Sequence, residues 1–276
     1  MSELIQRFKS EYLRTKKALG QHFLTNQHFI EEIACAADLS ADSPAVEIGP
    51  GCGVLTAALA AYTQRLTAIE LDDNAAAFLE ANKAEFFPQL RLIHADVLTV
   101  DMATLYAEPA GLITDTDKVS IIGNLPYNLS VKIVEHCTAS IGSIRKMVFM
   151  FQKEVAALIA SAPCSKDYSS LSVFCSYHYE IKKIRDISGG NFWPNASVYS
   201  TVLEFIPKPP ALTQDEEKDF FALVYKAFRQ KRKTLRNNLK DYQALPAVLA
   251  KYGKSESVRA EELSLEDFIG IWRALS

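Results

Sequence analysis

The sequence predicts an α/β protein: a mostly parallel, doubly wound Rossmann-like sheet followed by a small all-helical C-terminal domain. Three observations predict it. Short apolar runs alternate with amphipathic, alanine-rich stretches between residues 44 and 151. A glycine cluster, VEIGPGCGVL, stands at the first junction between such a run and a helical stretch. After the stiff segment PKPP at 207–210, every pattern is helical. Strands alternating with helices give parallel pairing, with helices on both faces of the sheet. The prolines stop both kinds of element, so the chain divides into domains 1–206 and 207–276.

In chain order, MSELIQRFKSEYLRTKK carries Arg7, Lys9, Arg14, Lys16 and Lys17 and reads as a basic N-terminal arm. The strands are PAVEIG (44–49), RLTAIEL (65–71), LRLIHAD (90–96), KVSIIGN (118–124) and RKMVFMF (145–151). Each is a short apolar run bounded by turn formers or charges, and each is expected to be buried. Between the first of them lie GVLTAALAAYT and DDNAAAFLEANKAEF, good helix formers with one apolar face. SSLSVFCSYHYEIKKIRDI and STVLEFIP are β-branched and aromatic, and are expected to close the sheet at one side. Tyr177, His178 and Tyr179 in the first of these read as core and surface positions rather than a platform for a base. Beyond the linker, QDEEKDFFALVYKAFRQKRKTLRNNLK, YQALPAVLAKYG and SLEDFIGIWRAL are helical. Thr213 before Asp215 and Glu216, and Ser264 before Glu266 and Asp267, are their N-terminal caps.

Composition narrows the class. Of 276 residues, 49% are apolar, enough for a sizeable core. No apolar run is long enough to span a bilayer, and the N-terminus lacks the apolar segment of a secretory signal, so a cytoplasmic monomer is expected. Cys35, Cys52, Cys137, Cys164 and Cys175 are scattered, with no C-x-x-C pair and no histidine cluster beside them. Reduced thiols are expected, and neither a disulfide framework nor a metal site. The net charge of −3 argues against a polyanionic partner. Its distribution argues for one: Arg229, Lys231, Arg232, Lys233, Arg236 and Lys240 crowd one stretch with no acid among them. Such a run is either a solvated helix face or a landing site for phosphates, since local fields decide where a polyanion binds.

Gly49, Gly51 and Gly53 let backbone approach a ligand, with a helix N-terminus pointing at it. Glu70 follows Gly49 by 21 positions, the spacing of a carboxylate that accepts both hydroxyls of a ribose. Asp96 ends the third strand, within reach of an adenine amine. Two ligands compete. A dinucleotide normally meets G-x-G-x-x-G, but here Val54 and Leu55 follow Gly53. S-adenosylmethionine needs the same ribose acid and no pyrophosphate cradle, and Glu47 at the start of the loop disfavours polyphosphate. The methyl donor is the preferred reading.

The fourth strand ends in IIGNLPYNLS (121–130), on the same carboxyl rim. Asn124 offers a neutral carbonyl acceptor. Pro126 restrains Leu125 to an extended conformation and so aims its carbonyl. Tyr127 offers a flat face. Two acceptors, one for each N–H of an exocyclic amine, stabilise the positive charge that develops as a methyl group arrives.

These segments together resemble the small-subunit ribosomal RNA adenine N6-dimethyltransferases, the kasugamycin-sensitivity family. KKALGQHFL (16–24), EIGPGCGVLT (47–56), AIELD (68–72), HADVL (94–98) and NLPYNLS (124–130) match its successive donor and catalytic motifs. MFQKEVAALI (150–159), YSSLSVF (168–174), FWPNASVYSTV (192–202) and FRQKRKTLRNNL (228–239) complete the series. The resemblance implies a class I methyltransferase fold with S-adenosyl-L-methionine held by His22, Leu24, Gly49, Gly51, Gly53, Glu70, Leu71, Asp96, Val97 and Asn124. It implies handling of the target base by Asn124, Leu125, Pro126, Tyr127 and Phe192. It also implies rRNA contacts at Lys16 and Lys17 and along the 229–240 run. His22 stands where the family often has Asn, and Ala196 and Ser197 replace a usual proline and lysine. The implied substrate is two adjacent adenosines in the hairpin loop near the 3′ end of small-subunit rRNA, within an immature subunit. The rival reading is a non-catalytic RNA-binding assembly or transcription factor that keeps the fold.

Overall fold

The computed structural model describes residues 2–11, 22–105 and 118–276. Helix α1 (Ser2–Glu11) precedes a short strand β1 (Phe23–Leu24) and helix α2 (Gln27–Ala36). Asn26 caps α2 by accepting from the His28 N–H at 3.0 Å. The alternating region follows: β2 (Ala45–Ile48), α3 (Val54–Ala60), β3 (Leu66–Glu70), α4 (Asp73–Phe86), β4 (Arg91–His94), β5 (Val119–Asn124), α5 (Ser130–Thr138) and β6 (Ile144–Gln152). Next come α6 (Lys153–Ile159), α7 (Ser170–His178), β7 (Tyr179–Ile187), a short β8 (Phe192–Trp193) and β9 (Ser200–Pro207). The chain ends in α8 (Gln214–Ala227), α9 (Leu235–Asn238), α10 (Leu245–Lys251) and α11 (Leu265–Leu275).

The main sheet has the order β4-β3-β2-β5-β6-β9-β7. The pairs β2–β3, β3–β4, β2–β5 and β5–β6 are parallel, and β6–β9 is antiparallel. The order reverses between β2 and β5, so a crevice opens beyond their carboxyl ends. The central strands β2 and β3 are buried at every position, as apolar runs covered on both faces must be. β4 departs from the expected burial: it is an edge strand, and Arg91 and His94 are exposed.

Two compact units emerge: Met1–Ala156 with Lys182–Pro207, and Ala157–Ile181 with Lys208–Ser276. The second therefore draws in a segment that the sequence analysis placed with the sheet. Its first part is also helical rather than strand. Val173 and Tyr177 lie four apart, and both pack with Phe220, Phe268 and Trp272. That i, i+4 stripe outweighs β-branched propensity. The Tyr177 hydroxyl accepts from the Leu212 N–H at 3.1 Å and donates to Glu217 at 2.9 Å. Thr213 and Ser264 cap α8 and α11 with reciprocal partners Glu216 and Asp267, as their spacing implied. The long helical pattern after the linker breaks at Phe228. There the Asn238 side chain takes over the Gln230 backbone, accepting from its N–H at 3.2 Å and donating to its carbonyl at 3.1 Å.

The N-terminal segment is no free basic arm over its described part. Leu4 and Phe8, four apart, bury one face of α1 in the core. Arg7 pairs with Glu3 at 2.7 Å and Glu85 at 2.8 Å, and Lys9 lies 5.4 Å from the centre of the Trp193 ring. Arg14, Lys16 and Lys17 lie outside the described residues.

One nearly dry ion pair ties β9 to β6: Lys146 Nζ meets Glu204 Oε1 at 2.6 Å, with side chains only 13% and 11% exposed. Lys146 also donates to the Ala36 carbonyl at the end of α2, 3.2 Å away. Removing one partner strands the other charge. Glu204→Ala is therefore expected to lower stability by about 3 kcal/mol. Lys146→Met with Glu204→Leu should lose much less. Urea denaturation of both variants measures the difference.

Candidate active site

An open cleft of about 870 Å³ lies at the sheet's carboxyl rim. Gly49, Gly51, Glu70, Asp96, Asn124 and Tyr127 line it, as do His22, Leu71, Val97, Leu125 and Pro126. Gly51 is left-handed, with φ +56°, and a Cβ there would land 2.4 Å from the Phe23 ring. Backbone and aromatic ring can meet only because that position is bare. Gly53 has a different task. At φ +79° it begins α3, and a Cβ would strike Leu79 at 2.8 Å and crowd Phe87. It lets α3 pack close to α4 and does not line the cleft.

Glu70 is 6% exposed at the end of β3. Its carboxylate accepts from the Gly51 N–H at 2.9 Å and the Asp72 N–H at 2.8 Å. Burial raises its pKa, opposed by those two donors. Each oxygen has one backbone partner and keeps acceptor capacity, so the glycine loop and the acid form one rigid edge. Asp96 accepts from the Leu98 N–H at 2.9 Å, which turns the chain sharply after β4. Leu71, 47% exposed, offers an apolar lip. Glu47 does not line the cleft: it is 1% exposed. Its Oε2, like Thr56 Oγ1, is buried with no hydrogen-bond partner among the described residues.

At the end of β5, the Asn124 Nδ2 donates to the His22 carbonyl at 2.7 Å. A carbonyl cannot donate, so this bond fixes the amide and leaves Asn124 Oδ1 as an acceptor with no hydrogen-bond partner among the described residues. The His22 Nδ1–H donates to the Pro194 carbonyl at 2.9 Å, which places the proton of a neutral ring on Nδ1. The His22 and Tyr127 rings lie 6.0 Å apart at 25°. The Tyr127 hydroxyl is 2.9 Å from Ser200 Oγ. His22 leads into β1, which pairs with β8 in a separate two-stranded sheet. Thr25 and Asn26 extend that link, both reaching Asn191.

The pairing of β1 with β8 places two of the expected site residues in the core. Leu24 stands opposite Phe192, and both face the core, 5% and 2% exposed. Neither lines the cleft. The ring the fold brings to the cleft instead is Phe23, which the sequence analysis missed, with Asn128, Leu129 and Ile133 from the turn into α5. Apolar lining residues carry no signal that separates them from core. Tyr177, His178 and Tyr179 are all buried, rather than alternating between core and surface, because the first two end a helix and not a strand.

In the helical unit, Arg229, Arg232 and Lys233 are exposed, with no acidic partner among the described residues. Arg236 instead pairs with Glu256, and Lys231 lies 3.8 Å from Glu261 and donates to the Lys166 carbonyl. Acids distant in sequence thus partly neutralise a run that reads as one-signed. Lys240 is exposed beside Asp241.

The profile of the family described as Ribosomal RNA adenine dimethylase matches residues 12–275. The "Ribosomal RNA small subunit methyltransferase A" of Geobacter metallireducens is 35% identical over 274 residues, covering 97% of this chain and 98% of its own. That of Xylella fastidiosa is 38% identical over 260 residues, covering 94% and 95%. The crystal structure of a dimethyladenosine transferase from Plasmodium falciparum matches with a TM-score of 0.73 at 21% identity, over 91% of this chain and 96% of that one. The 23S rRNA methyltransferase ErmE matches with a TM-score of 0.72 at 22% identity, over 92% and 99%. These two likenesses show the class I methyltransferase fold.

Glu47 makes the rim sensitive to pH. Burial lifts its carboxyl from the usual 4.5 to about 8; the Thr56 hydroxyl opposes the shift and the charge of Glu70 adds to it. A group whose pKa is raised by folding favours the folded state at low pH, and that contribution is lost as pH climbs to the folded value. Relative to Glu47→Gln, the natural protein should lose stability between about pH 4.5 and 8, with a limiting slope of about 1.4 kcal/mol per pH unit. Urea midpoints across this range test it; two parallel curves would contradict it.

Proposed function

Because the chain belongs to the ribosomal RNA adenine dimethylase family, we propose that it methylates N6 of two adjacent adenosines, twice each. Their place is the hairpin loop near the 3′ end of small-subunit rRNA, within an immature subunit. The small-subunit assignment follows the names of its relatives. The observation that carries the chemistry is the fixed amide of Asn124, whose Oδ1 is left as an acceptor on the cleft, unpartnered among the described residues.

The cleft fits S-adenosylmethionine as methyl donor. Glu70 presents two oxygens with spare acceptor capacity, suited to paired ribose hydroxyls. Gly51 keeps the approach bare of side chain, and Asp96 and Leu71 are a polar and an apolar contact for an adenine. When bound, the donor supplies a methyl group on a positively charged sulfur. The protein's part is alignment and charge stabilisation. Asn124 Oδ1 accepts one N6–H of the everted adenine and the Leu125 carbonyl accepts the other. Together they draw the nitrogen lone pair out of conjugation and stabilise the charge that develops on it. Tyr127, held by Ser200 and His22, packs against the base. No strong base is required, because the methylated, cationic nitrogen is itself acidic and loses its proton to solvent. The base leaves its stack to reach this corner.

In the helical unit, Arg229, Arg232 and Lys233 are placed for rRNA phosphates. Incubating the protein with labelled donor and unmethylated small subunits, or free rRNA, and mapping the modified nucleotides tests the assignment directly.

Asn124→Ala should lower kcat by about 10²–10³. The loss should be larger on unmodified RNA than on RNA already carrying one N6-methyl, where only one N–H remains to be accepted. Equal losses on the two substrates would contradict the two-acceptor arrangement. Arg232→Gln should reduce the slope of log affinity against log salt by about one while leaving donor affinity unchanged. Titrations of RNA across a salt series, with calorimetry of the donor, separate the two.

A further inference from the structure

Tyr199 is 56% exposed, yet its backbone is held in place. Its carbonyl accepts from the Lys153 N–H at 2.9 Å. The next residue, Ser200, meets the Tyr127 hydroxyl at 2.9 Å. Earlier in the same loop, the Ala196 N–H donates to the Gly189 carbonyl at 3.1 Å, and the Pro194 carbonyl accepts from the His22 Nδ1–H. Gly189 lies directly beneath the loop: a Cβ there would fall 1.9 Å from the Ala196 carbonyl oxygen. Loop 194–199 is therefore anchored at both ends and in its middle. An aromatic ring that adds little to the core is nonetheless pre-organised.

The ring has a cation beside it. Lys153 Nζ lies 5.5 Å from the Tyr199 ring centre. The loop, PNASVY, has no charge of its own. The nearest carboxylate, Asp186, is 4.0 Å from Lys153 and is shared with Lys183 at 2.7 Å and the Thr201 hydroxyl at 2.7 Å. Lys153 thus has only a shared and distant carboxylate as ion-pair partner among the described residues.

Register places this patch beside the reacting corner. Asn124 stands opposite Met150, and Met150 opposite Val202. Tyr199 thus lies two strands across and three residues further out on the same rim, roughly 14 Å from Asn124 by strand spacing and rise. A nucleotide next to an everted adenosine has lost one stacking partner. An exposed ring flanked by a cation is what single-stranded nucleic acid uses in its place.

We infer that Tyr199 is a stacking platform for a nucleobase flanking the target adenosine, with Lys153 orienting the ring and facing the adjoining phosphate. Both are positioning residues for the substrate, and the inference rests on the rRNA-methylating function proposed above.

Steady-state kinetics on unmethylated small subunits, and affinities for protein-free small-subunit rRNA, test it. Tyr199→Ala should raise KM for subunits about tenfold and weaken rRNA binding to match. Its kcat, its donor affinity by calorimetry and its salt slope should be unchanged. Tyr199→Phe, which keeps the ring, should restore the natural values. Lys153→Gln should reduce the salt slope by about 0.7. A Tyr199→Ala protein with natural KM overturns the inference, as does a Phe variant as impaired as the Ala variant. A loss seen with subunits but not with free rRNA assigns the patch to a ribosomal protein and overturns it too. If the natural protein methylates neither substrate, the function itself falls, and this inference with it.

Discussion

The 2.7 Å hydrogen bond from Asn124 Nδ2 to the His22 carbonyl is the constraint on which the site depends. It joins two parts of the chain 102 residues apart and sets the only orientation in which the amide oxygen is free for a substrate. The bond holds because His22 is itself fixed. Its ring donates to Pro194, and its chain runs straight into the two-stranded β1–β8 sheet. That small sheet does for the N-terminal segment what the main sheet does for the glycine loop. It turns an otherwise loose chain into a wall of the cleft.

The two acids of the rim show how burial divides labour. Glu47, next to last in β2, and Glu70, the last residue of β3, lie on neighbouring parallel strands, and both are almost fully buried. Glu70 is met by two backbone N–H groups and stays usable as an acceptor on the cleft. Glu47 has an oxygen with no partner, and burial holds its proton on near neutrality. Residue type is the same; the number of aimed donors decides which acid serves the ligand and which serves the interior.

Partners distant in sequence divide the basic run in a comparable way. Among the described residues, Arg229, Arg232 and Lys233 have no acidic partner, whereas Arg236 is claimed by Glu256. Around the cleft, loop 194–199 links the position of His22 to that of Tyr199 through consecutive anchors on its backbone.

By itself, the sequence determined everything that depends on local period and residue type. It specified the parallel strands 45–48, 66–70 and 119–124, the caps at Thr213 and Ser264, the glycine loop, Glu70 at the end of its strand and Asp96 just beyond the end of the next. These follow from spacings of a few residues, over which sterics and hydrogen bonding act directly. Tertiary structure alone decided that 170–178 is helix, that Leu24 and Phe192 face the core, that Gly53 serves packing, and that Glu256 neutralises Arg236. It alone chose the orientation of the Asn124 amide. Each of these outcomes depends on a partner that lies far along the chain, or on which face of an element is covered, and no local pattern encodes the identity of a neighbour brought in by folding.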